Sequence, residues 1–231
     1  MKATPMAIAS IMLMFAVVLL AMGFSKGRTE SEECNCNLAS GDWVDLGLPS
    51  GILWATRNVG ASSPADYGNY YAWGETSPKS MYDWSTYRYV RFDSDQGEYI
   101  LTKYTGSDGL TTLQPGDDAA TANYGGHTPT KEEWQELIDN TTSRWMTIDG
   151  VNGRCFTGSN GNSLFLPAVG NRWDSSLSQD GSNGYYWSSS LYTGSPGYAW
   201  YCYYNSSNVY MYYWYYYYYD RSYGRVVRAV R

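Results

Sequence analysis

The chain has 231 residues, a formal net charge of −6 at pH 7 and a sequence pI near 4.7. Charged residues make up 16%, below the usual quarter or so, while aromatics reach 17% because there are 25 Tyr and 10 Trp. An acidic chain with few cations has no phosphate-neutralising surface, which argues against a nucleic-acid partner, and its one histidine, His127, excludes His-rich metal sites.

From the N-terminus, Met1 and Lys2 precede an uncharged run at residues 5–24 with IASIMLMFAVVLLAM at its centre. A positive start and an apolar middle are the layout of a secretory signal, so the protein is expected to be exported to the cell envelope, the cell surface or the medium. The run is also long enough to cross a bilayer, and Lys26 and Arg28 follow it, so an uncleaved N-terminal anchor is the alternative. Residues 1–24 are thus a signal peptide or anchor, 25–41 a linker, and 42–231 the domain. Four cysteines in an exported chain invite disulfides. Cys34 and Cys36 lie in the linker, where they suit bridges between chains; Cys155 and Cys202 either pair with each other or remain half-buried thiols.

Within the domain, WVDLGLPSG, ILWATRNVGAS and YYAWGET read as short strands broken by turns. A helix begins in HTPTKEEWQELIDN, with Thr130 as N-cap, Glu133 completing a capping box, and Trp134, Leu137 and Ile138 on one apolar stripe. Strand-like segments resume at RCFTG, SLFLPAVG, YYWSSSLY, AWYCYY, VYMYYW and GRVVRAVR. The fold class expected is α+β, with short antiparallel strands, few helices and long loops.

The other constellations carry little chemistry. Asp93, Asp95 and Glu98 have an acidic spacing suggestive of calcium, but the residues of an EF-hand loop are incomplete and a solvated turn is the better account. Asp117 and Asp118 could cap a turn or bind calcium, and the structural role is the better account. His127 stands alone before the helix as a packing or capping residue, and Ser188, Ser189 and Ser190 lack a nucleophile elbow. Arg221, Arg225, Arg228 and Arg231 are expected to alternate between solvent and carboxylate partners. No metal and no cofactor is expected.

Seven stretches in order, DLGLPSGILWATRNVGA, YYAWGET, LQPGDDAATANYGG, TPTKEEWQELI, GNSLFLPAVG, YYWSSS and GRVVRAVR, resemble the Fibrobacter succinogenes major paralogous domain family of exported bacterial proteins. That family is similar to the C-type-lectin-like fold, which includes formylglycine-generating enzymes, whose PTEAEWE helix resembles the segment from Pro129 to Glu136. The resemblance implies a compact α+β domain whose N- and C-terminal strands pair and whose irregular C-terminal half carries the ligand face. An enzyme of the formylglycine-generating type would need a copper-binding cysteine pair. Cys155 and Cys202 are isolated in sequence, so no catalytic residue is expected.

The richest signal is YCYYNSSNVYMYYWYYYYYDRSY at residues 201–223, where 12 of 23 residues are Tyr and six more are Asn, Ser or Asp. Successive strand side chains face opposite sides, so five consecutive Tyr must expose two or three rings. Tyr mixed with Ser, Asn and Gly is the composition of antibody recognition loops. The segment also resembles the variable regions of diversity-generating retroelement proteins, in which adenine changes in an AAC codon yield Tyr, Ser, Asp, His or Cys and never a stop. Met211 and Trp214 lie outside that set and, with Val209, read as scaffold. The candidate variable region is 185–223. The candidate ligand contacts are Tyr203, Asn205, Asn208, Tyr210, Tyr212, Tyr213, Tyr215, Tyr216, Tyr217, Tyr218 and Tyr219. The function expected is an exported binder of a protein or glycan ligand at a cell surface, presenting this face; a fixed glycan-binding, adhesion or envelope-structural domain is the alternative.

Overall fold

A computed structural model describes residues 36–213 and 220–231. The signal or anchor segment, Cys34, and the stretch from Trp214 to Tyr219 lie outside the described residues. Short apolar runs punctuated by Gly, Asn and Asp fold into strands, as such runs do when each turn signal returns the chain on itself. In chain order these are β1 (Trp43–Asp45), β2 (Leu53–Ala55), β3 (Tyr70–Tyr71), β4 (Val90–Asp93), β5 (Glu98–Leu101), β6 (Thr142–Ile148), β7 (Val151–Thr157), β8 (Ser163–Pro167), β9 (Val169–Trp173), β10 (Ser176–Asp180), β11 (Gly184–Leu191), β12 (Ala199–Tyr204), β13 (Val209–Tyr212) and β14 (Arg225–Val226). The helices are α1 (Ala119–Asn123) and α2 (Lys131–Asn140), so the domain is mostly β-sheet with few helices.

The largest sheet has the order β10-β9-β11-β12-β13, with β14 beside β11 and β3 beside β14. Strands β6-β7-β8 form a three-stranded sheet, while β1-β2 and β4-β5 are two-stranded. The two ends of the domain meet: Leu53 and Arg231 exchange backbone hydrogen bonds at 2.9 and 3.0 Å, and Ala55 donates to Ala229 at 2.9 Å.

Helix α2 sits on this frame for local and tertiary reasons together. Thr130 accepts from the Glu133 amide while the Glu133 carboxylate accepts from the Thr130 amide, a reciprocal cap worth about 0.5–2 kcal/mol. Ser190 Oγ of β11 satisfies a further end group, the Lys131 amide, at 3.1 Å. Trp134 and Leu137 are fully buried, with the Trp134 ring edge-on to Trp54 at 4.7 Å and its Nε1 donating to Trp187 O at 3.2 Å.

Three expectations are corrected here. Arg221, Arg225 and Arg228 do not reach solvent, each being 0% exposed, and Arg221 and Arg228 bond to carbonyls and neutral side chains rather than to carboxylates. Arg221 donates to the carbonyls of Lys103, Tyr104 and Pro196 and to Tyr87 Oη. Arg228 donates to the carbonyls of Ala55 and Phe165 and to Asn58 Oδ1. The reason is topological: residues 221–230 are buried throughout, so no side of this C-terminal segment faces water, and carbonyls and aromatic rings supply the partners. Only Arg231 stays exposed, over the Trp43 ring.

Cys155 does not pair with Cys202. Its disulfide partner is Cys36, across a separation of 119 residues. Cys202 is a free, buried thiol whose pKa burial pushes up. The disulfide also revises the linker, since residues 36–41 are held to the domain by that bond, by Ser163 N–H donating to Asn37 O at 3.1 Å, and by a bridge between Leu38 and Ser163.

The acidic segments have structural partners. Asp93 Oδ1 accepts the amides of Asp95 and Gln96 within the turn between β4 and β5. Asp117 accepts from Tyr89 Oη, Tyr104 Oη and Lys103 Nζ, and Asp118 caps α1 through the Ala120 amide while holding Thr128.

Candidate functional site

The hairpin of β12 and β13 decides where the tyrosines point. Its turn is built by Asn205, whose Oδ1 accepts the amides of Ser207 and Asn208 at 2.9 Å each. From there the register pairs Tyr204 with Val209, Tyr203 with Tyr210, Cys202 with Met211 and Tyr201 with Tyr212. On the other side, β11 pairs Tyr185 with Tyr203 and Trp187 with Tyr201. Directly opposite residues share a face, so Tyr185, Trp187, Tyr201, Tyr203, Tyr210 and Tyr212 lie on one side of the sheet. Tyr186, Cys202, Tyr204, Val209 and Met211 lie on the other.

The second side is the core side. Tyr186 and Tyr204 are 0% exposed, and Val209 and Met211 pack against the main core. The first side grades from closed to open across three strands: Tyr185 is 2% exposed, Tyr203 half-buried, and Tyr210 at the sheet's outer strand 43% exposed. The rings pack edge-on or tilted at centroid distances of 5.2 Å for Tyr185–Tyr203, 5.2 Å for Tyr203–Tyr210 and 5.7 Å for Tyr201–Tyr212. Between them lies a cleft of about 160 Å³ lined by Gln179, Tyr185, Tyr201, Tyr203, Tyr210 and Tyr212. Below its floor the Arg225 guanidinium lies 3.5 Å from the Tyr201 centroid and 4.3 Å from that of Trp187, a buried cation–π stack that fixes those rings.

Among the described residues the cleft is lined by phenols and one carboxamide, which gives it hydrogen-bonding capacity. Tyr185 Oη bonds Gln179 Oε1, and Asn205 Nδ2 donates to Tyr203 Oη at 3.1 Å. Burial, and then the neighbouring Tyr203 and Tyr212, raise the Tyr210 pKa, so its phenol is a neutral donor at physiological pH. What the cleft can do is stack and hydrogen-bond.

Of the residues proposed from sequence, Tyr203, Tyr210 and Tyr212 converge on this cleft. Asn205 and Asn208 form the hairpin turn instead, and their carbonyls accept from Arg154 Nη1 at 2.7 and 3.3 Å. Tyr213 leaves the strand on the other side, stacking on Tyr192 at 4.0 Å and edge-on to Trp200 at 4.7 Å. Tyr215, Tyr216, Tyr217, Tyr218 and Tyr219, with the scaffold candidate Trp214, lie outside the described residues. Three lining residues were missed. Tyr201 and Tyr185 follow from strand alternation once the Asn205 turn fixes the register, whereas Gln179 comes from β10 at a backbone φ of +63° that nothing in the sequence announces.

A second depression, of about 290 Å³, lies on the other side of β13 and is lined by Lys131, Glu132, Gln135, Trp200 and Met211. His127 Nε2 lies 3.0 Å from Glu133 Oε1 at the start of α2, outside both depressions. No family model matches the chain, and neither a curated protein nor a solved structure matches it.

Proposed function

We propose that this protein is an exported, non-catalytic ligand-binding protein that presents a Tyr-rich recognition surface, diversified by a retroelement, on a C-type-lectin-like scaffold. The observation that carries the reading is the tyrosine cleft, where one sheet face opens at its edge strand while Val209 and Met211 on the opposite face of the same strand pack, half-buried, against the core. Rigid rings with a hydroxyl at the tip supply contact area at low entropic cost and one directed hydrogen bond each. Alternation separates exchangeable positions, Tyr203, Tyr210 and Tyr212, from Val209 and Met211, which hold the core, so the face can vary while the fold persists. Among the described residues the cleft lining consists of Tyr and Gln, side chains suited to stacking and hydrogen bonding rather than to proton transfer near pH 7. Export is supported by the N-terminal apolar segment and by the Cys36–Cys155 disulfide, a bond typical of oxidising compartments.

The test is the DNA around the coding sequence. A nearby reverse-transcriptase gene and a template repeat matching the codons of residues 185–231, differing at adenines, is the expected finding. If no such repeat exists, the face is a fixed binding surface for a protein or glycan and the diversification reading falls.

A further inference from the structure

Strand β13 ends the largest sheet, and its outer edge is chemically unguarded. The Asn205 amide donates to Asn208 O at 3.0 Å, which makes that pair hydrogen-bonded, and hydrogen-bonded pairs recur every second residue along an antiparallel ladder. Tyr203–Tyr210 and Tyr201–Tyr212 are therefore the bonded pairs, and the amides and carbonyls of Val209 and Met211 point away from β12. Among the described residues no backbone partner meets them. Natural edge strands are usually blunted by charges, prolines or bulges, yet the sequence from Val209 to Tyr219 contains no Asp, Glu, Lys, Arg or Pro.

We propose that β13 pairs with β13 of a second copy, joining two central sheets across a two-fold axis centred on Tyr210. The proposal rests on the recognition role of the tyrosine face and adds that the face is shared between two copies. The register is dictated by which groups are free. Val209 of one copy pairs with Met211 of the other and the reverse, using all four outward groups on each strand. Tyr210 then faces Tyr210 of the second copy as a close, non-hydrogen-bonded pair. This arrangement sets Tyr against Tyr on the cleft side and Val against Met on the core side, so both faces stay chemically continuous. A one-residue slip would bring inward-bonded groups to the edge and is excluded. The exposure of Tyr210, at 43% the largest for a tyrosine on this sheet among the described residues, is reduced at the ring's outer edge by its counterpart while the hydroxyl stays on the cleft face. Strand β13 itself carries no charged residue, although the chain as a whole is acidic. Two tyrosine clefts thereby become one bivalent surface.

Cross-linking of the exported chain reads the register directly. Opposite residues of a non-hydrogen-bonded pair have Cα atoms about 4.5 Å apart, within disulfide reach. In a Cys34→Ser background, Tyr210→Cys should give a covalent dimer on a non-reducing gel after mild oxidation, and Ser207→Cys, at the exposed hairpin tip, should not. Adding Met211→Pro, which deletes an outward amide and leaves the β12 ladder intact, should abolish the dimer while the circular dichroism spectrum is kept. If that variant loses its fold, Tyr210→Lys, which opposes two like charges at an exposed position, is scored instead by light scattering of the purified protein. The protein without these substitutions should shift from one to two copies between about 1 and 200 μM, as mass action requires. A monomer throughout that range, or equal cross-linking at Ser207→Cys, overturns the proposal. Because no ligand is present in either assay, that failure leaves the ligand-binding reading standing.

Discussion

The two sides of the β11–β12–β13 ribbon are built largely from one residue type and put it to opposite uses. On the core side, Tyr186 and Tyr204 stack at 5.8 Å, and Tyr204 Oη donates to the carbonyls of Leu166 and Pro167 at 2.7 Å. Tyr186 Oη likewise meets Pro167 O at 2.8 Å, and burial pushes its pKa up to about 12. On the cleft side, Tyr203, Tyr210 and Tyr212 keep ring edges and hydroxyls accessible around a void. The side chain has not changed; its parity along the strand has. Tyr serves both roles because the ring fills volume and the hydroxyl can be satisfied either by a buried carbonyl or by a ligand.

That comparison breaks first, and hardest, on the core side. Tyr204→Ala leaves a cavity among Tyr186, Trp145 and the β8 carbonyls and should cost about 3–5 kcal/mol. Tyr204→Phe keeps the ring, loses the hydroxyl proton shared between the Leu166 and Pro167 carbonyls and should cost about 1 kcal/mol. Denaturant midpoints for the pair measure both numbers. Equal costs would mean that the hydroxyl, rather than the ring, holds this side together.

The parts of this architecture legible in the sequence are those whose signal is local. Helix α2 is readable because its cap and its apolar stripe sit within nine residues, and both are present. The alternation of AWYCYY and VYMYYW likewise gave strands and implied two faces. Strand β6, TSRWMTI, went unread because polar and apolar residues intermix on a half-exposed strand. The β4–β5 hairpin was noticed only as an acidic turn. Long-range facts were out of reach. Nothing near Cys36 names Cys155, and the burial of Arg221 and Arg228 depends on carbonyls brought in from segments more than a hundred residues away for all but the Pro196 and Phe165 contacts. Asn suits recognition loops, which makes Asn205 and Asn208 candidate contacts from sequence, yet the same residue also builds tight turns, and that is its use here.

A smaller effect concerns α2, which covers the core side and whose start is braced by His127 and Glu133. The hydrogen bond that His127 donates to the Glu133 carboxylate is the largest influence on the histidine and raises its pKa above the ordinary 6.5, while for Glu133 burial pushes upward and is outweighed by His127 and the Thr130 amide, which lower it from 4.5. A raised histidine pKa contributes stability that is fully present below about pH 6.5 and is lost as pH rises through the folded value; the lowered glutamate contributes above about 4.5 and loses it on acidification. The pair therefore acts in the window between. The melting temperature of His127→Gln should fall below that of the unsubstituted chain near pH 5.5 and converge with it by about pH 8.5. The His127 side chain is 42% exposed, which keeps the gap small. A gap that widens with pH would reverse the sign of the argument, and ligand affinity should not follow it in either case.

The smallest stability effect belongs on the cleft side, and its smallness is the point. Tyr210 contributes an exposed ring whose packing partners, Tyr203 and Tyr212, are themselves partly open. Its removal leaves no sealed cavity, so Tyr210→Ala should change stability by less than about 0.5 kcal/mol. Binding obeys a different rule, since a central aromatic contact commonly costs about 2 kcal/mol or more when truncated and peripheral ones cost little. Scanning Tyr203, Tyr210, Tyr212 and Met211 to Ala, with melting temperature and affinity for a captured ligand read on each variant, separates the two. Affinity should fall at one or more of the three tyrosines, and stability should fall most at Met211, whose side chain packs against the core. If instead the Tyr210 and Tyr212 variants unfold the domain and Met211→Ala does not, then the open face is the structural one, and parity along β13 has been assigned to the wrong sides.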